Sequence, residues 1–262
     1  MRIALGIEYD GRPFSGWQSQ PDRATVQDLL QAALSQIAGE SIAVTAAGRT
    51  DTGVHATEQV VHFDTQTNRP LTAWVRGTNG LLPESIAVRW AHEVPDEFHA
   101  RFSAHGRSYR YLLLNRPMRP AIQSGKVGWF HAPLDVDAMR EAAQHLLGEH
   151  DFSAFRAAEC QAKSPVKTLT RLDIRREGDM IVFDLSAGAF LHHMVRNIVG
   201  CLVYVGKGKH PPDWLREVLE GRERRYAAPT FAPDGLYLRR IKYEDKWGLP
   251  QMEDETMPGE LL

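Results

Sequence analysis

Apolar and polar residues alternate from Arg2 to Tyr9, with Ile3, Leu5, Ile7 and Tyr9 on one side and Ala4, Gly6 and Glu8 on the other, which predicts a strand. After the loop DGRPFSGWQSQPD the period turns helical. Thr25 with Asp28 three residues on makes a capping-box-like start, and Val26, Leu29, Leu30, Ala33, Leu34 and Ile37 form an apolar stripe. Strands are predicted at 42–47 and 58–65, flanking the segment GRTDTGVHA at 48–56, then a short helix at 71–79 and a strand at 86–94. The second half predicts a strand at 106–115, a helix at 135–147, strands at 166–176 and 180–187, helices at 191–206 and 212–220, and a last strand at 235–243. Each half reads β-α-β-β-α-β, the ferredoxin-like order. The expectation is therefore an α+β protein of two ferredoxin-like units, 1–105 and 106–247, followed by an acidic tail at 248–262. Mixed or antiparallel sheets would carry helices on one face, with an active cleft between the halves.

Composition narrows the class. With 262 residues, 43% hydrophobic and 24% charged, the chain can bury a sizeable core and is not disordered. Two cysteines, Cys160 and Cys201, make no disulfide framework, which suits a reducing compartment. MRIALGIEYDG is interrupted by Glu8 and Asp10 too early for a signal peptide, and the apolar stretch 189–205 is broken by His192, His193, Arg196 and Asn197. A cytoplasmic globular protein is expected.

The net charge of −2 argues against a nucleic-acid binder only until its distribution is followed. No acid occurs between Phe98 and Leu134, where Arg101, Arg107, Arg110, Arg116, Arg119 and Lys126 fall. A second acid-free stretch, Leu185 to Pro212, holds Arg196, Lys207, Lys209 and three histidines. The basic residues are 24 Arg against 7 Lys, and arginine brings a planar fork for phosphate and a face for stacking. Segregated charge in a near-neutral chain fits a cleft for a polyanion.

Candidate chemistry centres on GRTDTGVHA, which sets Asp51 in a glycine-bounded turn between two strands with Arg49 two residues away. On the helix expected at 191–206, His192, His193, Arg196, Asn197 and Gly200 fall within an arc of about 140° and apolar residues cover most of the rest. A charge on so buried a helix needs a partner. Asp51 would be one, its pKa lowered by the arginine against the upward push of desolvation; a surface arginine beside a carboxylate such as Asp184 is the other reading. GRSYRYLLL puts Tyr109 and Tyr111 on one strand face and Arg110 on the other, which suits base stacking with phosphate contact as well as simple strand formation. Phe14 and Trp17 in FSGWQ carry the same two readings. Asp51-Thr52-Gly53 also matches the aspartic-protease triplet, but it occurs once, and that dyad needs two carboxylates sharing a proton without cations beside them. A noncatalytic RNA-binding module would need the arginines and aromatics but not Asp51. His55, Glu58 and His62 have a helical metal-ligand spacing but lie across a predicted loop and strand. GKGKH at 206–210 follows a helix and reads as its stop, not as a phosphate loop.

Six segments together resemble the bacterial tRNA pseudouridine synthase A (TruA) family: YDGRPFSGWQ at 9–18, AAGRTDTGVHA at 46–56, VHFDT at 61–65, RSYRY at 107–111, HDFSAFR at 150–156 and FLHHMVRNIVG at 190–200. The resemblance implies an isomerase that needs no cofactor or metal and converts uridine to pseudouridine at positions 38, 39 and 40 of the tRNA anticodon stem-loop. It also implies a homodimer that holds the RNA in a basic cleft. It makes Asp51 the catalytic carboxylate, Arg49 a residue that contacts RNA and helps bring out the target base, Tyr109 the aromatic stacked on the uracil, and Arg196 the ion-pair partner of Asp51. Arg107 and Arg110 are further expected RNA contacts.

Overall fold

The computed structural model describes residues 1–21 and 24–250, so from position 251 onward the tail expected at 248–262 lies outside the described residues. In chain order the elements are β1 (Arg2–Tyr9), α1 (Val26–Ala38), β2 (Thr45–Ala46), β3 (His55–Asp64), β4 (Ile86–Val94), β5 (Gly106–Asn115), β6 (Gly128–Phe130), α2 (Val136–Gln144), β7 (Gly148–Asp151), β8 (Val166–Glu177), β9 (Met180–Ala187), α3 (Met194–Gly206), α4 (Trp214–Gly221) and β10 (Leu236–Lys242). The chain is α+β. Its described residues form two compact units, one of Met1–His105 with residues 237–250, the other of Gly106–Leu236. Among the described residues no helix is long and apolar enough to cross a membrane.

In the first unit β1 lies antiparallel between β4 and β3, and β2 lies antiparallel on β3, giving the ferredoxin-like order β4-β1-β3-β2. β10 joins β3 in parallel, with Tyr237 opposite His55 and Leu238 opposite Ala56. The alternation read in β1 has a steric purpose: a Cβ on Gly6 would come within 2.1 Å of the Trp90 indole nitrogen, so the small residue makes room for its cross-strand partner. Helix α1 starts as its sequence dictates, with Thr25 Oγ1 accepting the Asp28 N–H at 3.3 Å, and ends at Gly39 with φ 72°. The strand expected at 42–47 shrinks to Thr45–Ala46. The N–H groups of Ile42 and Val44 are taken by side chains of α1 instead, Ser35 Oγ at 2.9 Å and Gln31 Oε1 at 3.0 Å. The short helix expected at 71–79 holds a π-helical turn over Ala73–Gly77.

The second unit is an antiparallel sheet in the order β5-β9-β8-β7, with β6 parallel to β5. Strands 106–115 and 180–187 stand where the alternation places them; β6 and β7, three and four residues long, carry too little pattern to be read. The helix expected at 135–147 stops at Gln144, and the chain turns through Gly148 with φ 97° into β7. The helix expected from 191 begins only at Met194. His193 has φ 63°, a left-handed conformation that cannot continue into a right-handed helix, so His192 and His193 precede α3 and do not share its arc. The rest of α3 is nearly all buried, Asn197 included.

Candidate active site

The turn bearing Asp51 is held from three sides within the first unit. The orphan N–H groups at the start of α1, on Val26 and Gln27, are satisfied by the carbonyls of Gly16 at 3.3 Å and Trp17 at 3.1 Å. Trp17 N–H in turn donates to the Thr50 carbonyl at 3.0 Å, and Gly16 (φ 87°) passes so close that a Cβ would stand 2.8 Å from that same oxygen. The buried Thr50 hydroxyl pairs with the Tyr9 phenol at 2.8 Å. On the far side, fully buried Gln59 of β3 donates Nε2–H to the Gly48 carbonyl at 2.8 Å and accepts the Gly48 N–H at 3.3 Å. The turn closes on itself with Val54 N–H bonded to the Asp51 carbonyl at 3.1 Å, and Gly53 takes φ 79°. Asp51 is left half-buried between a buried Thr50 and an exposed Thr52, with Arg49 exposed on the same turn.

This assigns FSGWQ a role that spacing did not reveal. Phe14 and Trp17 are buried, Trp17 tilted against Tyr9 at 6.0 Å, so they brace the Asp51 turn and are not available to stack on a base. His55 and His62 each accept a backbone N–H at Nδ1, from Gly11 and Ala100 at 3.1 Å. Residue 55 points to the opposite side of β3 from 58 and 62, so the metal-like spacing does not gather one ligand set. Burial, with Arg2 and His99 nearby, lowers the His62 pKa to about 4.

In the second unit Tyr109 is half-buried on β5 and meets Phe190 edge to face at 5.0 Å. Arg107, also half-buried, donates to the Gly188 carbonyl at 2.8 Å. Arg196 sits in the first turn of α3. Its Nε donates to the Phe231 carbonyl at 2.8 Å while its own carbonyl accepts the Phe231 N–H at 3.2 Å, which fixes the direction of the side chain. Gly200, one turn on, lets the 229–231 strap approach: a Cβ there would stand 2.4 Å from the Pro229 carbonyl. Asn197, the polar residue that the wheel placed beside Arg196, ties that strap down. It donates to the Phe155 carbonyl at 2.7 Å and accepts from Thr230 at 2.7 Å and Arg224 at 3.1 Å. HDFSAFR thus serves as an anchor: Phe152 and Phe155 are fully buried, and Asp151 receives the Ser153 N–H and hydroxyl at 2.9 and 2.6 Å.

Arg110 does not stand where an RNA contact must. It is buried, and it grips Asp184 through Nε at 2.7 Å and Nη2 at 3.0 Å, while Arg175 reaches the same carboxylate at 2.5 Å. Burial pushes the Asp184 carboxyl up, but the two guanidinium groups outweigh it and hold its pKa below the ordinary value. The strand pattern set Arg110 on the face opposite Tyr109 and Tyr111 and left its partner unnamed; Asp184, opposite it on β9, is that partner. Tyr111 is likewise core, its phenol bonded to the Ala232 carbonyl at 2.8 Å and its pKa raised by burial.

A family model described as tRNA pseudouridine synthase matches residues 6–103 and 142–244. The chain is 62% identical over 261 residues to the tRNA pseudouridine synthase A of Dechloromonas aromatica (strain RCB), covering 100% of each. It is 64% identical over 251 residues to that of Chromobacterium violaceum, covering 95% of this chain and 96% of the relative. A chain from a crystal structure of a Cbf5-Nop10-Gar1 complex shows 11% identity and a TM-score of 0.34 over 76% of this chain and 54% of its own, a likeness too slight to bear on the site.

Proposed function

This chain belongs to the tRNA pseudouridine synthase family, whose members isomerise uridine to pseudouridine in tRNA, and we propose that it acts at positions 38, 39 and 40 of the anticodon stem-loop with Asp51 as the catalytic carboxylate. The observation that carries this reading is the bracing of the Asp51 turn by Trp17, Tyr9 and Gln59, which fixes one carboxylate on a rigid loop. The reaction breaks the N1–C1′ bond, turns the base and joins C5 to C1′; N1 takes up a proton and C5 releases one, so composition and oxidation state are unchanged. Adding Asp51 to C1′ or to C6, or having it withdraw the 2′ proton, are three routes compatible with a positioned carboxylate. Each needs it ionised, and we assign Arg196, aimed by the Phe231 backbone, to keep it so.

Reaching a stem uridine means unstacking it, at a cost of a few kcal/mol. Arg49, exposed on the turn, takes the vacated place in the helix, and Tyr109, steadied by Phe190, stacks on the extruded uracil. Arg107 is retained as an RNA contact; Arg110 is not. The resemblance further supports a metal-free homodimer working in the cytoplasm.

The test follows tritium released from C5-labelled uridine in unmodified tRNA without added cofactor. Wild type is expected to release it; Asp51→Asn is expected to bind the tRNA as tightly and release none. Release by Asp51→Asn at the wild-type rate would overturn the assignment, and no release by wild type would overturn the function.

A further inference from the structure

At the far end of α3 the acid-free stretch Leu185 to Pro212 runs into an aromatic and basic cluster that the reaction leaves unused. Tyr204, His210 and Trp214 stack there, with His210 on Trp214 at 4.1 Å and 14° and Tyr204 6.2 and 6.3 Å from the two. The helix stops as GKGKH suggests: Gly208 takes φ 72°, and the N–H groups of Lys207, Gly208 and Lys209 close on the carbonyls of Val203, Val205 and Tyr204. That closure brings two lysines round one ring. Lys207 Nζ lies 4.2 Å and Lys209 Nζ 4.1 Å from the Tyr204 centroid, while both side chains stay exposed.

Two ammonium groups each about 4 Å from one ring centroid are at most about 8 Å apart, which gathers two donors of charge-assisted hydrogen bonds within reach of one stretch of phosphate backbone. Asp213, the first acid past the stretch, is engaged by His145 at 3.3 Å and Arg216 at 3.1 Å. Burial and the two lysines lower the His210 pKa, and Glu217 raises it more weakly, so the positive charge of the cluster rests on the lysines. We propose that Lys207 and Lys209, held round Tyr204, form a clamp for a backbone phosphate of the substrate tRNA, remote from the target uridine. The clamp rests on the tRNA reading above and extends it. Helix α3 acts as a ruler: Arg196 stands in its first turn, and Lys207 at its end is about 16 Å further along the axis. An RNA long enough to reach past the flipped base meets the clamp; a short one does not.

The experiment compares wild type with Lys207→Gln/Lys209→Gln on unmodified full-length tRNA and on a minimal stem-loop cut back to the few base pairs beside the target uridine, which removes the backbone on the side that α3 reaches over its roughly 16 Å. Expected are a three- to tenfold rise in KM and Kd for full tRNA, with kcat kept, and a slope of log Kd against log salt reduced by about 1. The stem-loop should respond to neither change, and Lys207→Arg/Lys209→Arg should restore tRNA binding. An unchanged KM and salt slope on full tRNA would overturn the clamp. So would a lower melting temperature with unchanged KM, which marks lysines that merely cap the helix end, or an equal KM rise on the stem-loop, which puts the contact beside the base. Inorganic phosphate that binds wild type in the millimolar range without competing with tRNA would also overturn it. A wild type that binds tRNA with the full salt slope but forms no pseudouridine would sink the catalytic reading and leave the clamp standing.

Discussion

Gln59→Leu removes a side chain that holds the Asp51 turn from the β3 side. Gln59 is fully buried and exchanges two hydrogen bonds with Gly48, at 2.8 and 3.3 Å, while its Oε1 also lies 3.2 Å from the Val60 nitrogen. Leucine fills a similar volume, so no large cavity forms, but the Gly48 carbonyl and N–H lose their partners. Each net hydrogen bond contributes about 1 kcal/mol, and a buried group left unsatisfied costs about 1–3 kcal/mol. Gly48 is only half-buried and water recovers part of this, so about 2–3 kcal/mol is expected, a fall in melting temperature of roughly 4–12 °C for a chain of this size. The same loss frees the N-terminal side of the turn three residues before Asp51. A displacement near 1 Å at a reacting group costs about 10²-fold in rate. The tritium-release assay should therefore show kcat down between tenfold and a hundredfold, with KM for tRNA within about twofold of wild type, because Arg49 and the basic contacts survive. Gln59→Glu, which can still accept the Gly48 N–H but repels its carbonyl, should fall between. A stable Gln59→Leu protein with wild-type kcat would refute the claim that bracing from β3 positions the carboxylate. A rise in KM alone would show that Gln59 shapes the RNA contact instead.

Arg110→Gln should lower the melting temperature sharply, since breaking a buried pair leaves Asp184 with Arg175 alone and costs about 3–5 kcal/mol; the salt slope of tRNA binding should not move, and a slope reduced by 1 would return Arg110 to the RNA. Gly6→Ala forces a Cβ into the Trp90 indole and should cost about 1–3 kcal/mol in urea unfolding, with indole fluorescence shifted; an unchanged midpoint would show that Trp90 moves aside freely. His62 titrates near 6.5 when unfolded and near about 4 when folded, so between those values the unfolded chain holds the extra proton. Stability should thus fall by up to about 2–3 kcal/mol as pH drops from 6.5 to 4 and level off below, and His62→Gln should flatten that limb. An identical pH profile in the variant would place the titration elsewhere.

The elements most legible in the sequence were the long strands. β4, β5, β8 and β9 lie within a residue of their expected bounds: β4 and β8 bury mainly one face and alternate, whereas β5 and β9 are buried almost throughout and show as short apolar runs. Where side chains replace backbone partners the pattern misleads: Ile42 and Val44 alternate like a strand, yet their N–H groups go to Ser35 and Gln31. The start of α3 was misplaced because no propensity announces a left-handed histidine. Within the site, Asp51 and Arg49 could be singled out by residue type in a glycine-bounded turn. The supports could not: Gln59, Asn197 and Trp17 act through bonds to backbone atoms far away in sequence, and nothing in a one-dimensional pattern pairs a glutamine with a glycine eleven residues earlier.

The two carboxylates that the sequence offered to Arg196 show how the chain separates structure from chemistry. Asp184 is buried and met by two guanidinium groups, one of them bidentate, so its charge is spent inside the fold and no substrate can reach it. Asp51 stands in another setting. Hydrogen bonds that fix its turn fall on the backbone of Gly48, Thr50 and Asp51 and on the Thr50 hydroxyl, and the residue sits half-buried, where a substrate can approach it. A carboxylate enclosed as Asp184 is would have to break three charge-assisted bonds before it could attack or take a proton, losing several kcal/mol from the barrier. Bracing the turn through its backbone fixes the position of Asp51 while leaving the residue within reach of solvent. Mutations in the braces should accordingly lower kcat in proportion to the turn they loosen, whereas mutations at Asp184 should act on folding and leave the rate of the surviving molecules alone.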